Sequence, residues 1–490
     1  MLTRSFAGPR PWEWMSLPAE IRNLILAAIA HQKHPGWGSL ASVSREWQHV
    51  LERPNFHKLH LGARCLYDIE EAISPERKSM IRHICLTVEL PQYKSTCCSR
   101  QSSPSTKISA TVSAAIYGLL RVLSRWEFGN DLTLELNVYS PSDNEHWFRN
   151  AYLSTDHVDS DSGDDTWGLD LHHDVQHGWV RGKQVMAPPK AAVERLFRNI
   201  VLAFKEALPE VTVVKELIIR RQLRRCLAPV GLGELLQAFT SLERFDFEPW
   251  APYEPQGREF RDRALTYTIR SLPDTLRTLI IFEDAYKFYD RFPKPPVPVF
   301  WYYLLEPKKG LAAVLAAQTL QLQHVSISFL VDARDLFHHC NRSWIWPRLQ
   351  SLALTSELLD GDWGKRNHLM SLLHRASKCV RNMPRIRTFV LWNGGKSHAS
   401  AFIYSIDRDG LKASITCRST RGLALSSRVV ESWKRTTFKM GIRQLQVVHE
   451  LIQGHVRSHG DAIEQLRLPR QVVHPASLWQ IKREAYNEGE

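Results

Sequence analysis

The sequence predicts a mixed α/β fold (α+β overall), with an N-terminal three-helix module followed by an irregular βα-repeat body. Three observations predict it. Apolar side chains recur at helical spacing within residues 14–56. A triplet of the form apolar-x-x-apolar-x-apolar then recurs along the chain, and segments of helical periodicity separate its copies.

Ser16 suits a helix cap, Pro18 the first turn, and Glu20 the positive end of the helix dipole. Leu17, Ile21, Leu24, Ile25, Ala28 and Ile29 then form a stripe at spacings of three and four, ended by His34-Pro35-Gly36. LASV (40–43) follows Ser39 as a second short helix. Ser44 caps a third, with Trp47, Val50 and Leu51 on one face and Phe56 just beyond Pro54. Helices this short bury little surface by themselves. The module therefore needs a partner, or the adjoining body, to cover its apolar side chains.

LPAEIRNLIL (17–26), LASVSREWQHVLE (40–52) and Phe56 together resemble the F-box in order and spacing. That motif runs Leu-Pro-x-Glu-Ile with an aliphatic pair, then Val-Ser-Arg-x-Trp. The resemblance covers about a tenth of the chain. It implies docking to a Skp-family adaptor, and through it to the cullin scaffold of a RING ubiquitin ligase. The residues it implicates are Leu17, Pro18, Ile21, Ile25, Val43 and Trp47. The alternative is an ordinary helical hairpin packed on its own body.

The body triplets are Val214/Leu217/Ile219, Leu242/Phe245/Phe247, Leu276/Leu279/Ile281, Leu322/Val325/Ile327, Leu349/Leu352/Leu354 and Ile386/Phe389/Leu391. Outlying copies are Ile81/Ile84/Leu86 and Ile463/Leu466/Leu468. Each reads as a short strand. Helices are expected at 191–208, 231–239, 258–272, 310–320, 333–340 and 365–380. Strands alternating with helices predict parallel pairing with right-handed crossovers.

This pattern resembles a divergent leucine-rich-repeat solenoid, in a protein similar to fungal-type F-box proteins. An open α/β sheet is the alternative. Where a leucine-rich repeat places Asn or Cys, this chain has Gln222, Trp250, Asp284, Leu330, Glu357 and Gly394. Its units are also longer than the usual ~20–29 residues. The expected organisation is a helical module (12–60), first irregular units (61–140), an acidic polar insertion (141–190), the repeat body (191–400), and a hairpin with capping region (401–490).

Segment 94–110 reads as an exposed loop, and DHVDSDSGDD (156–165) as flexible, with Ser160 and Ser162 as candidate phosphorylation sites. PKPPVPVFWYY (293–303) reads as a rigid excursion or recognition surface. The stretch 401–417 reads as a hairpin turning at Asp409-Gly410 and capping the solenoid's open end.

Composition sets the remaining bounds. Of 490 residues, 43% are hydrophobic and 23% charged, as in ordinary globular chains. No apolar run suits a membrane span, and MLTRSFAGPRPWEW (1–14) lacks the apolar stretch expected of a secretory signal. Eight scattered cysteines fit a reducing compartment, so a cytoplasmic or nuclear location is expected. The net charge of +13 favours acidic partners, while nucleic acid is not the leading expectation. RRQLRRC (220–226) reads as a solvated loop after a strand, or as a nuclear-import or anion-binding patch.

No phosphate-loop, dinucleotide, zinc-protease or nucleophile-elbow pattern is present. His172, His173 and His177 lie near Asp170 and Asp174, and read as a polar loop. The expectation is a non-catalytic adaptor without cofactor or metal, recruiting an unknown protein target. Arg220, Arg221, Glu248, Trp250, Asp284 and Trp392 are the candidate target contacts, as exposed residues flanking strands on the concave side. A ubiquitin-independent scaffold is the second reading, and a nucleic-acid binder the third.

Overall fold

A computed structural model describes residues 14–32, 36–66, 68–99, 106–126, 131–151, 153, 173–252, 255–285, 308–407, 409–410 and 412–487. Ser160, Ser162, His172 and the segments 156–165 and 293–303 lie outside these residues.

One twelve-stranded sheet organises the chain, with its strands in sequence order. They are β1 (Lys58–Gly62), β2 (His83–Glu89), β3 (Leu132–Tyr139), β4 (Val214–Ile219), β5 (Arg244–Phe247), β6 (Thr278–Phe282), β7 (His324–Ser328), β8 (Ser351–Thr355), β9 (Thr388–Gly395), β10 (His398–Ile406), β11 (Lys412–Ser419) and β12 (Gln444–Leu451). Pairing is parallel from β1 to β9. It is antiparallel through β9–β10–β11 and parallel again at β11–β12. The sheet crosses the expected boundaries at 140 and 400 without a break, so the divisions predicted there do not interrupt it.

The last two residues of each of the six body triplets fall on a strand, as do Ile84 and Leu86; apart from Val214, the leading residue lies just before the strand. Their alternate side chains, such as Leu217, Phe245, Leu279, Val325, Leu352 and Phe389, point into one apolar layer. Helices α3 (Thr106–Leu123), α4 (Lys190–Leu196), α5 (Pro229–Ala238), α6 (Pro255–Arg270), α7 (Lys308–Gln318), α8 (Ala333–His339), α9 (Arg366–Val380) and α10 (Ser427–Lys439) lie between the strands. Leu119, Leu235, Ile269, Leu315, Phe337, Leu373 and Trp433 carry most of them into the same layer.

Several expectations are corrected. Ile463/Leu466 lies on helix α11 (His459–Leu466), not on a strand; its spacing also suits one helical face. The helix expected over 191–208 stops at Leu196. Strand β12 follows the hairpin, so the hairpin does not form the sheet's edge. The described parts of 141–190 are packed in part: Trp147, Phe148 and Trp179 are buried, the first two against α4, while Val175, Val185 and Met186 are exposed. Part of the loop expected over 94–110 is the first turn of α3.

All eight cysteines are free thiols. Among the described residues no helix is long and apolar enough to cross a membrane.

Candidate partner-binding sites

The N-terminal module is built from α1 (Ala19–Gln32) and α2 (Arg45–His57), linked by a 3-10 turn over Trp37–Ser42. The Ser44 side chain caps α2, accepting a hydrogen bond from the Trp47 amide. Glu46 ties the two helices together. It accepts from Arg22 Nε at 2.7 Å and from Trp14 Nε1 at 3.0 Å. The hydrogen bond from Arg22, then that from Trp14, holds its carboxyl below the usual range. The Trp14 and Trp47 rings lie 5.3 Å apart. Arg77 anchors the module to the body, pairing with Glu52 at 2.7 Å and lying over the Phe56 ring.

Only Leu26 and Leu51 of the two helices are buried. Pro18 is exposed, Leu17, Ile25 and Trp47 are half-buried, and Ile21, Leu24 and Val43 are 42%, 65% and 60% exposed. The body therefore leaves most of the apolar stripe uncovered. Burial of Leu17, Ile21 and Trp47 against the body would favour a scaffold in which these helices cap it; Ile21 is exposed, and Leu17 and Trp47 are half-buried.

The other six candidates are corrected. Arg220, Arg221, Glu248, Trp250, Asp284 and Trp392 are all buried. The C-terminal segment, which folds back over the sheet face opposite that apolar layer, covers most of them, and Phe197 packs edge-on to Trp250. Helix α11 packs Ala462, Ile463 and Leu466 against Trp392, Ala399, Ala401 and Ile403. An added Cβ at Gly394 would lie 2.3 Å from the Cβ of Ala462, so the helix meets the strand where no side chain fits. Trp392 packs edge-on to Phe329 at 5.2 Å.

The segment then runs back to earlier strands and ends in helix α12 (Pro475–Asn487). Glu484 pairs with Arg221 at 2.8 Å and with Arg224. Arg221 also pairs with Asp284 at 2.5 Å, and Asp284 has His459 3.4 Å away. Burial opposes ionisation of Asp284, but Arg221 and His459 outweigh it and hold the carboxyl far below its usual range. Glu248 accepts from the His474 amide at 2.7 Å, from Ser477 Oγ at 2.5 Å and from the Arg221 amide at 3.0 Å. Burial nonetheless pushes its carboxyl up to about 7.

Trp250 donates to the Arg221 carbonyl at 2.7 Å, and its ring lies under both Arg221 and Arg224. Arg220 pairs with buried Glu135 at 2.5 Å, and Arg225 holds Asp143 with two hydrogen bonds. The RRQLRRC run is thus neither a solvated loop nor an anion-binding patch. Its arginines satisfy buried carboxylates.

Two features escaped the sequence reading. A cavity of about 560 Å³ opens between α4, α5 and α6, lined mainly by apolar side chains such as Val193, Leu202 and Phe260. Cys226 borders it, with its thiol pushed up by burial. No local motif signals such a cavity, because segments far apart in the chain form its wall. The second feature is a cationic groove between α8, α9 and α10. Elsewhere, His177 is hydrogen-bonded to Asp174 at 2.6 Å, while His173 is exposed. Among the described residues no group of three or more His, Cys, Asp and Glu side chains is placed to hold a metal ion.

Residues 271–474 are similar to a family of unknown function, DUF6546. That span runs from just before β6 to the start of the segment that meets Glu248. No curated protein matches the chain.

Proposed function

We propose that this chain is a non-catalytic F-box-type adaptor of a cullin–RING ubiquitin ligase, working in the cytoplasm or nucleus. Residues 12–60 dock on a Skp-family adaptor through Leu17, Pro18, Ile21, Ile25, Val43 and Trp47, and the body recruits a protein target. One observation carries the reading: the apolar stripe that matches the F-box pattern is left uncovered by the body, although Glu46, Arg22 and Phe56 hold the module in place. Uncovered apolar side chains on an ordered element are the usual mark of a protein contact. Parallel strands in chain order support a leucine-rich-like solenoid for the body.

The test is copurification of the full chain with a Skp-family adaptor. The double variant Leu17→Ala/Pro18→Ala is expected to lose the adaptor while keeping the parent's thermal unfolding transition. Intact protein that retains no adaptor overturns the proposal and leaves the ubiquitin-independent scaffold.

A further inference from the structure

The face expected to hold a target is filled by the chain's own C-terminal segment, so recognition needs another surface. The groove between α8, α9 and α10 has a volume of about 1230 Å³. Arg342, Arg375, Lys378, Arg381 and Arg428 line it, against one acidic side chain, Asp335. None of these five cations is ion-paired among the described residues. This sets the groove apart from the body's other basic clusters: Arg220, Arg221, Arg224 and Arg225 are all neutralised by carboxylates. Five neighbouring cations that outnumber the single carboxylate repel one another, and an anionic ligand relieves that repulsion.

Beneath the groove, the buried atoms Arg381 Nε and His374 Nδ1 have no hydrogen bond among the described residues. Buried donors and acceptors are normally satisfied. Four of the five cations are arginines, whose planar fork matches carboxylate or phosphate with paired hydrogen bonds.

We propose that this groove binds a partner protein's peptide segment bearing closely spaced anionic side chains, either phosphates or carboxylates. The lining favours a peptide over a nucleic acid. Its Phe337 and Trp346 rings are buried, so neither the phenyl nor the indole is offered for base stacking. Ile345, 63% exposed in the same loop as Arg342, gives a peptide an apolar anchor at the groove's edge. This inference does not rest on the adaptor reading; either can fail alone.

The test is fluorescence anisotropy of the full chain with four labelled probes: a ten-residue peptide with four phosphoserines, the same peptide with four glutamates, the same with four unmodified serines, and a single-stranded oligonucleotide. The charge-reversal variant Arg342→Glu/Arg381→Glu/Arg428→Glu is compared with Arg64→Glu/Lys107→Glu/Arg121→Glu, which makes the same charge change elsewhere. One or both anionic peptides are expected to bind at least about tenfold more tightly than the unmodified one. The groove variant should lose that advantage, while the control changes it by less than about threefold. The tighter of the two peptides identifies the anion. Equal losses in both variants, no retention of either anionic peptide at low salt, or tighter binding of the oligonucleotide overturns the proposal. Both variants are checked for an unchanged thermal transition.

Discussion

Ser477 donates its hydroxyl to Glu248 at 2.5 Å, joining residues 229 positions apart. That contact, with the pairing of Arg221 to Glu484, fixes the C-terminal helix onto the sheet. Both acidic partners are buried, so the contacts carry energetic consequences that surface pairs do not.

Glu484→Ala removes the carboxylate shared by Arg221 and Arg224 and leaves two buried guanidinium groups with too few acceptors. The expected loss is about 3–5 kcal/mol in urea unfolding. Glu464→Ala breaks an exposed pair with Lys482 and should cost less than about 1 kcal/mol. Equal losses would mean that the C-terminal helix is not held by its ion pairs.

Glu248 links stability to pH. Its carboxyl is pushed up to about 7 in the folded chain, from an ordinary 4.5. Between those values the unfolded chain has released the proton while the folded chain retains it. Stability therefore falls as pH rises from about 4.5 to 7, by about 3 kcal/mol from this group. Asp246, pushed up to about 6 by burial, acts in the same direction. Glu135 works oppositely: burial opposes its ionisation, but His83 and Arg220 hold it at about 2, and its contribution is lost only as pH falls toward that value. Denaturant unfolding of Glu248→Gln at pH 5 and pH 7.5 should show a smaller difference than the parent.

The close approach at Gly394 predicts a compensating pair. Gly394→Ala forces a methyl group onto Ala462 and should cost about 1–3 kcal/mol. Adding Ala462→Gly removes the obstructing Cβ and should recover part of the loss, less about 1 kcal/mol for glycine within a helix. Strictly additive losses in thermal unfolding would show that the two residues do not meet.

Anion binding in the groove should depend on pH through His374. Burial lowers its basicity, followed by Lys378 and Arg381 of its own helix segment and Arg428 and Arg435 of α10. A bound anion offsets those cations and favours the protonated ring, so binding takes up a proton. Affinity for the glutamate peptide, whose own charge is constant over this range, is expected to rise as pH is lowered from 8 to 6, and His374→Gln should flatten the change.

The strands at 214–391 were legible because each carries two inward apolar residues after a leading one, and the structure buries them together. β3 lies outside that pattern: Leu132, Leu134, Leu136 and Val138 alternate cleanly, without the apolar-x-x-apolar spacing of the triplets. The exposed stripe Leu17–Val43 was legible because local periodicity defines it. The fate of Arg221 and Glu248 was not. A basic run after a strand looks the same whether water or a distant carboxylate satisfies it, and here the carboxylate lies 263 residues away. The departures from Asn did hold a clue: Gln222, Trp250, Asp284 and Gly394 all lie where the returning segment packs.

The return of residues 456–484 over the sheet also orders events during synthesis. A ribosome delivers Arg221, Glu248 and Trp392 well before their partners Glu484, Ser477 and Ala462 exist. Until then the nascent chain displays uncompensated charge and bare tryptophan, the kind of surface that holding chaperones retain. Closure of this face must wait for the last of these segments to emerge.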